Sequence, residues 1–156
     1  MSAVIQESIL TFRPMEEEDL TAVLAIEHAA YAFPWTRNIF RDCLMVGYSC
    51  WVLEKDGLVN AYGVMSVAAG ESHILNICVY PDLQGYGYGT VVLEFLLDVA
   101  RKLNADTAFL EVRPSNSVAR RLYEQSGFNE AGIRRNYYPA KVGREDAIIM
   151  ARTLKE

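Results

Sequence analysis

A glycine-rich stretch between a strand-like run and a helix-like run constrains this sequence more than any other feature. The stretch, Gln84 to Thr90, reads Gln-Gly-Tyr-Gly-Tyr-Gly-Thr, so its three glycines alternate with other residues. It follows the apolar run Ile74 to Val79 and precedes the apolar run Val91 to Leu103. Glycine lets the backbone approach a ligand closely, and the free N–H groups of a helix start attract an anion. The pattern therefore predicts a phosphate cradle, and we expect its anion to be the pyrophosphate of coenzyme A.

Three other interpretations of the glycine-rich stretch compete with the phosphate cradle. A Rossmann fingerprint requires a third glycine where Thr90 stands, and a P-loop requires Gly-Lys followed by Ser or Thr, which does not occur here. An ordinary Gly-rich turn before a helix remains open, because Tyr86 and Tyr88 fit either structure.

The length and charge indicate a single globular domain over residues 1–156. A chain of 156 residues buries roughly two-thirds of its unfolded surface when it folds, which is enough for a proper core. The net charge of −5 disfavours nucleic acid as a direct ligand, because DNA and RNA phosphates need a basic surface. An acidic protein suits a basic peptide or an amine instead.

The cysteines and histidines predict no metal site. Cys43, Cys50 and Cys78 are odd in number and lack C-x-x-C spacing, so we expect buried reduced thiols. His28 and His73 are the only histidines, and each is interpreted as a structural or surface residue.

The chain shows no targeting or membrane signal. Residues Met1 to Ser8 have no basic start and no apolar run of signal-peptide length. Apolar runs stay below the roughly 18 residues that a membrane helix needs. We therefore expect a cytoplasmic protein without a membrane partner.

The order of predicted elements argues against a Rossmann sheet, which would alternate strand and helix from the start. Three antiparallel strands precede the glycine-rich stretch, because Asp56-Gly57 favours a hairpin turn. The predicted fold is α/β (α+β). Its seven strands are Ile9–Arg13, Tyr48–Lys55, Leu58–Ala68, Ser72–Val79, Thr107–Val112, Phe128–Tyr138 and Asp146–Leu154. Its four helices are Glu16–Ala30, Arg37–Met45, Thr90–Leu103 and Ser117–Ser126.

An aromatic loop, Phe33-Pro34-Trp35, separates the first two helices. Pro34 breaks the first helix, and Thr36 can cap the second. Phe33 and Trp35 either close the core or line a ligand pocket, and the sequence leaves both open.

Glu111 and Tyr123 are the candidate catalytic pair. Glu111 lies at the end of an apolar strand and Tyr123 on the following helix, where the carboxyl ends of strands in α/β sheets gather ligands. A carboxylate can take a proton from an amine, and a phenol with an ordinary pKa near about 10 can give one to a leaving thiolate. The alternative is an ion pair of Glu111 with Arg113 or Arg121 beside a tyrosine packed in the core.

The sequence resembles the GNAT superfamily of acetyl-coenzyme A dependent N-acetyltransferases. The superfamily signature Q/R-x-x-G-x-G/A is met by Gln84, Gly87 and Gly89. Further segments resemble its RimI-type branch, bacterial enzymes that acetylate the N-terminal alanine of the small-subunit ribosomal protein numbered eighteen. These segments are Ala32–Trp35, Leu110–Arg113, Ser115-Asn116, Leu122–Glu124, Gly127-Phe128, Arg134–Pro139 and Gly143–Ala147.

The resemblance implies a GNAT fold, with a mixed, mostly antiparallel sheet of about seven strands flanked by about four helices. It implies acetyl-CoA as co-substrate without a metal, Glu111 as general base and Tyr123 as general acid. The implied acetyl-CoA contacts are the backbone of Ile77, Cys78 and Val79, the loop residues Gln84, Gly85, Tyr86, Gly87, Tyr88, Gly89 and Thr90, and Asn116. The implied acceptor contacts are Tyr137 and Tyr138, which could equally alternate as ordinary strand residues. Phe33 and Trp35 of the aromatic loop are the further candidates for substrate binding.

The implied partner is the N-terminus of a ribosomal protein, and the expected assembly is a monomer or weak dimer.

Two departures from the family pattern are visible: Cys78 replaces an Ala-like residue, and Gly85-Tyr86 replace a basic, polar pair. Two other functions stay open. One is acetylation of another peptide, a lysine or a small amine; the other is a non-catalytic acyl-CoA-binding module.

Overall fold

The computed structural model describes residues 10–155, and these residues form a seven-stranded sheet with helices on both faces. The strands are β1 Leu10–Pro14, β2 Ser49–Lys55, β3 Leu58–Ala68, β4 Glu71–Val79, β5 Thr107–Val112, β6 Asn129–Pro139 and β7 Arg144–Thr153. The helices are α1 Leu20–Ala30, α2 Arg37–Met45, α3 Tyr88–Lys102 and α4 Ser117–Gln125. The predicted fold class is confirmed. The interpretation of Met1 to Ser8 and the predicted strand start at Ile9 lie outside the described residues.

The strand order is β1-β2-β3-β4-β5-β7-β6, and every neighbouring pair is antiparallel except β4–β5. Helix α3 provides the crossover between these two parallel strands, as a parallel connection requires. The β4–β5 pairing runs from Glu71 opposite Thr107 to Ile74 opposite Leu110 and ends there. The rest of β4 therefore separates from β5 and leaves a wedge-shaped gap between the two strands.

Some predicted boundaries are wrong, and each difference has a local cause. Helix α3 begins at Tyr88 rather than Thr90, because Gly87 adopts a φ of 86° and acts as its N-cap. The acidic run does not form the first turn of α1; Glu17–Asp19 form a separate 3-10 turn. Within that turn Asp19 is buried and accepts two hydrogen bonds from Arg13, at 2.7 and 2.6 Å.

Two hydrophobic clusters form the core, one on each face of the sheet. Helix α3 supplies Leu93, Leu96 and Leu97 to one cluster, and α1 and α2 supply Leu20 and Phe40 to the other. The burial of such side chains drives the helices onto the sheet. The three cysteines are buried and unpaired, which confirms the expected reduced thiols.

A β-bulge in β4 changes which face its side chains reach. Val64 lies opposite Asn76, but the next residue of β3 lies opposite Ile74, so Leu75 has no opposite residue. An extra residue in one strand shifts the alternation of everything beyond it. Ile74 consequently packs in the α3 cluster, whereas Cys78 packs in the α1 cluster.

Gly63 is required by the contact between β3 and α3. A Cβ atom at this position would lie 2.7 Å from Leu96 Cδ1 in the fully buried core. We expect Gly63→Ala to reduce the free energy of unfolding by about 1–3 kcal/mol, because overpacking displaces buried side chains. Urea denaturation measures the change. Gly132→Ala is the matched control, since its nearest neighbour, Ile149, would be at an ordinary 3.6 Å; equal losses in both variants would contradict this account.

Two classes of feature are not found in the described part of the chain. No helix within residues 10–155 is long and apolar enough to span a membrane. The same residues contain no group of three or more His, Cys, Asp or Glu side chains that could hold a metal ion.

Candidate active site

The wedge-shaped gap exposes backbone groups of β4. Opposite residues in an antiparallel pair alternate between bonded and non-bonded positions. Tyr80 N donates to Asn60 O at 2.8 Å, so Cys78, two residues earlier, is also bonded to β3. The N–H and C=O groups of Ile77 and Val79 therefore point away from β3, toward the gap. An extended ligand can pair with such an open strand edge.

Two side chains already contact the carbonyls that face the gap. The Tyr31 hydroxyl donates to Ile77 O at 2.6 Å, and Gln84 Nε2 donates to Val79 O at 3.1 Å. Burial raises the pKa of Tyr31 well above its usual value, so this phenol remains a donor. Gln84 thus joins the start of the glycine-rich stretch to the edge of β4. No short sequence pattern indicates the Tyr31 contact, which joins segments 46 residues apart.

The predicted phosphate cradle lies at the N-terminus of α3. Gly85 and Gly87 have φ angles of 88° and 86°, a left-handed conformation that glycine adopts without strain. A Cβ built on either residue would meet no atom within 4 Å, so the space beside them is open. The first turn of this 15-residue helix carries no acidic residue. Its N–H groups and dipole can therefore receive a pyrophosphate without competing charge.

The remaining loop residues contribute differently. Gly89 lies inside α3, and a Cβ there would be 3.3 Å from Leu122, so this glycine allows α3 to pack against α4. Tyr86 is exposed, and Lys55 Nζ lies 5.4 Å from the centre of the Tyr88 ring. Lys55 is not among the coenzyme-binding residues that the sequence predicts. The ammonium group of Lys55 brings a positive charge to the glycine-rich loop, in which Gly85-Tyr86 replace the basic, polar pair of the GNAT pattern. The residues present therefore fit a pyrophosphate group.

We predict that Gly87→Ala weakens acetyl-CoA binding. A left-handed φ costs about 1–2 kcal/mol for a residue with a Cβ, and relaxation would reorient the N–H groups of the cradle. We expect an approximately tenfold higher Kd, equivalent to about 1.4 kcal/mol, measured by isothermal titration calorimetry. Gly47→Ala is the matched control, with a φ of 80° and open surroundings after α2. A comparable change of Kd in both variants would show that the effect is a general loss of stability.

Glu111 is the first residue of β5 beyond its recorded pairing with β4. Its side chain is 9% exposed and contacts two basic groups: Oε2 lies 2.5 Å from His73 Nε2, and Oε1 lies 3.3 Å from Arg134 Nε. The ion pair with Arg113 or Arg121 that the sequence left open is not formed. His73, interpreted from the sequence as a structural or surface residue, is brought to Glu111 by the β4–β5 register.

Tyr123 lies half-buried on α4, with its ring 6.0 Å from that of Phe128. Burial raises the pKa of Tyr123 to about 12, with a smaller contribution from Cys78 on β4. The phenol is therefore protonated at neutral pH, as a proton donor must be. Asn116 Oδ1 accepts a hydrogen bond from Ala119 N at 3.1 Å and caps α4, which leaves its amide nitrogen for a ligand.

Arg113 connects the predicted acceptor residues on two separate segments. Its guanidinium lies 4.4 Å from the Tyr138 ring centre and 5.4 Å from that of Phe33, and Nη1 donates to Pro139 O at 2.8 Å. Tyr137 and Tyr138 have ring centres 4.9 Å apart, so they do not alternate as regular strand residues. The cause is a register irregularity between Arg134 and Tyr138.

The two aromatic residues of the first loop have different roles. Trp35 is half-buried and packs 5.2 Å from Phe40, so it closes the α1 cluster. Phe33 is exposed and faces Arg113. The buried Glu27 fixes this loop, because it accepts a hydrogen bond from Trp35 N at 2.8 Å. The same carboxylate also accepts hydrogen bonds from the Tyr62 hydroxyl and from Asn76 Nδ2.

The environment of Tyr138 combines burial with several nearby ionisable groups. Burial raises the pKa of Tyr138, with further contributions from Glu111, from Tyr137 and, more weakly, from Tyr123. Arg113, which lies over the Tyr138 ring, acts in the opposite direction and lowers this pKa. A carboxylate, a protonated phenol and free backbone N–H groups around one gap can remove a proton, supply a proton and stabilise a developing oxyanion.

Comparison with known proteins gives a consistent result. The model of the "Acetyltransferase (GNAT) family" matches residues 12–128, more than half of the chain. The chain is 45% identical over 141 residues to the [ribosomal protein bS18]-alanine N-acetyltransferase of Escherichia coli K12, covering 90% of this chain and 95% of that protein.

Solved structures agree with these sequence matches. The crystal structure of the ribosomal-protein-S18-alanine N-acetyltransferase from Escherichia coli superposes with a TM-score of 0.88 at 43% identity, covering 95% of this chain and 96% of that one. The structure of yncA from Salmonella typhimurium, solved with acetyl-CoA, has a TM-score of 0.77 at 24% identity and covers 96% of each chain. This second likeness concerns the fold alone.

Proposed function

Since the chain belongs to the GNAT family of acetyltransferases, we propose that it transfers the acetyl group of acetyl-CoA to the N-terminal α-amino group of a protein, the alanine of ribosomal protein bS18. The observation that carries this proposal is the 45% identity, over 90% of the chain, to an enzyme named for that acceptor. The buried carboxylate of Glu111 beside the gap adds a chemical reason. A ribosomal acceptor places the enzyme in the bacterial cytoplasm.

The gap and the cradle together hold acetyl-CoA in the proposed complex. The pantetheine arm extends along β4, where Ile77 and Val79 offer backbone groups, and Cys78 lies between them. The pyrophosphate lies against Gly85 to Thr90 at the start of α3. Bound there, acetyl-CoA supplies the activated acetyl thioester.

Glu111 acts as the general base in the proposed reaction. A protonated α-amine is not a nucleophile, and its ordinary pKa of about 8 requires only modest help for deprotonation at neutral pH. Glu111 takes this proton, directly or through a water molecule. The amine nitrogen then attacks the thioester carbonyl carbon, forming the new C–N bond as the C–S bond breaks, and the nitrogen releases its second proton to water as the amide forms. The backbone N–H groups of Ile77 and Val79, which face the gap, stabilise the negative charge on the carbonyl oxygen.

Tyr123 acts as the general acid in the same reaction. Its hydroxyl donates a hydrogen bond to the departing sulfur, and the proton follows as the C–S bond lengthens. The pKa of about 12 keeps the phenol protonated but makes complete transfer harder than from an ordinary phenol. Tyr123 therefore acts chiefly on a sulfur that already carries substantial negative charge.

The acceptor peptide is proposed to bind between the aromatic loop after α1 and the end of β6. Phe33, Tyr137 and Tyr138 provide aromatic surface there, and Trp35 supports the loop from the core. The net charge of −5 favours a basic acceptor.

The test uses the purified protein with acetyl-CoA and a peptide from the N-terminus of bS18, in free and N-terminally blocked forms. We expect a mass gain of one acetyl group and release of one thiol with the free peptide only. Acetylation of both forms would indicate a lysine acceptor. Acetyl-CoA binding without turnover on the peptide or on a panel of amines would favour the non-catalytic module.

A further inference from the structure

We propose that His73 is a positioning residue that holds the Glu111 carboxylate at the mouth of the β4–β5 gap; this inference rests on the proposed function. The supporting contact joins His73 Nε2 and Glu111 Oε2 at 2.5 Å. A carboxylate can only accept a hydrogen bond, so Nε2 carries the proton and donates it. A hydrogen bond to a charged partner is stronger than one between neutral groups.

The strand register explains why Glu111 needs such a contact. His73 lies opposite Phe109 in the parallel β4–β5 pair, and the recorded pairing ends one residue later, with Ile74 opposite Leu110. Glu111 follows immediately, so its backbone lies where β5 separates from β4 while it stays paired with β7. A side chain at this fork, the point where β4 and β5 separate, has an open gap on one side. The diagonal contact from His73, which lies one residue before the last pair, fixes this side chain beside the paired part of the two strands.

The second carboxylate oxygen has a different partner. Oε1 faces Arg134 Nε at 3.3 Å, and the Arg134 side chain is 53% exposed on β6. A long, exposed arginine holds an ion pair weakly because ordering it costs rotamer entropy. His73 has a shorter side chain on an internal strand and is 34% exposed. We infer that His73 retains Oε2 during turnover, while Arg134 yields Oε1 to the acceptor amine.

His73 thus determines the position of the Glu111 carboxylate, although it does not contact the acceptor. Proton abstraction requires the base within hydrogen-bond reach of the amine or of one bridging water molecule. A carboxylate that rotates freely at the fork spends less time in that geometry. Loss of the His73 donor therefore reduces the rate of the chemical step more than the binding of acetyl-CoA, which is held by β4 and the cradle.

The experiment compares His73→Leu, which removes the donor, with His73→Gln, whose amide nitrogen reaches a similar distance from the backbone. We expect His73→Leu to lower kcat about tenfold. This factor corresponds to roughly 1.4 kcal/mol, close to the contribution of one hydrogen bond to a charged group. The KM for acetyl-CoA should change less than twofold, and His73→Gln should recover kcat to within about threefold of the wild type. His28→Leu, at an exposed position on α1, is the matched control. An unchanged kcat in His73→Leu, or equal loss in both His73 variants, would overturn the proposal.

A second measurement does not depend on turnover. The chain has two histidines, so one imidazole N–H proton signal can be assigned by its loss in His73→Leu. We expect a downfield, slowly exchanging Nε2–H signal in the free wild-type protein and its disappearance in Glu111→Ala. Its absence from the wild type would overturn the contact itself. Its presence in a protein that acetylates no acceptor would refute the proposed function while leaving the His73–Glu111 contact intact.

Discussion

Glu111→Gln is expected to lower kcat by a factor of about 10²–10³ while leaving the affinity for acetyl-CoA unchanged, because a general base commonly contributes this much to the rate. The amide retains the shape of the carboxylate and can still accept the hydrogen bond from His73, but it cannot take a proton. The groups that are proposed to hold acetyl-CoA lie on β4 and at the start of α3, so binding does not depend on the charge of Glu111.

Steady-state kinetics with the free peptide and calorimetry with acetyl-CoA separate the two quantities for Glu111→Gln. Glu130→Gln is the control, because this carboxylate also pairs with an arginine, Arg120, at 3.4 Å, but lies at the start of β6, away from the predicted acceptor residues. The control should retain wild-type kcat. A Glu111→Gln enzyme within threefold of the wild type would exclude Glu111 as the base.

Tyr123→Phe is expected to lower kcat by about 10- to 100-fold with little change in stability, since a single acid contributes toward the lower end of the usual range. Within residues 10–155 the Tyr123 hydroxyl has no hydrogen-bond partner, so its removal leaves no protein group unpaired. The ring contact with Phe128 is retained. The lost rate therefore measures the contribution of the hydroxyl to the departing sulfur.

The pH dependence provides an independent check on Tyr123. Its pKa is raised to about 12, so the phenol stays protonated and the wild-type kcat should show no decline between pH 8 and 10. A wild-type decline with a midpoint in this range that Tyr123→Phe abolishes would contradict the raised pKa. Tyr48→Phe, an exposed tyrosine beyond α2, is the matched control and should behave as the wild type.

The predicted elements agree with the structure where the signals are local. Asp56 and Gly57 have φ angles of 53° and 83°, as a primed hairpin turn requires, and Thr36 caps α2 through a 3.3 Å bond from Ile39 N. Strand β5 was predicted with its observed limits, Thr107–Val112. Turn and cap residues act within a few positions, so their effect can be seen in the sequence.

The surroundings of Glu111 could not be predicted in the same way. His73 reaches it only because β4 and β5 pair in one particular parallel register, which joins residues 38 positions apart. Arg134 approaches from β6, two strands away in the sheet order. Long-range register depends on the packing of the whole sheet, and no short sequence pattern records it.

Arg113 shows the same limit at the acceptor side. Its neighbours in the sequence, Val112 and Pro114, identify only a strand end. The contacts of Arg113 with Phe33 and Tyr138 join three segments that meet only after the sheet and its helices have assembled.

Leu75 makes the length of β4 matter as much as its composition. This residue has no opposite partner on β3, and across the bulge Asn76 faces Glu27 although Ile74 faces the α3 cluster. Removing Leu75 itself would leave Val64 opposite Asn76 and Met65 opposite Ile74 in regular pairing, so Asn76 would keep its face. Removing Ile77 would instead make Cys78 the neighbour of Asn76 and turn Cys78 toward the apolar cluster under α3. A one-residue change of length is therefore tolerable at the bulge and disruptive in the regular parts of β4, where it would exchange the two faces of the strand.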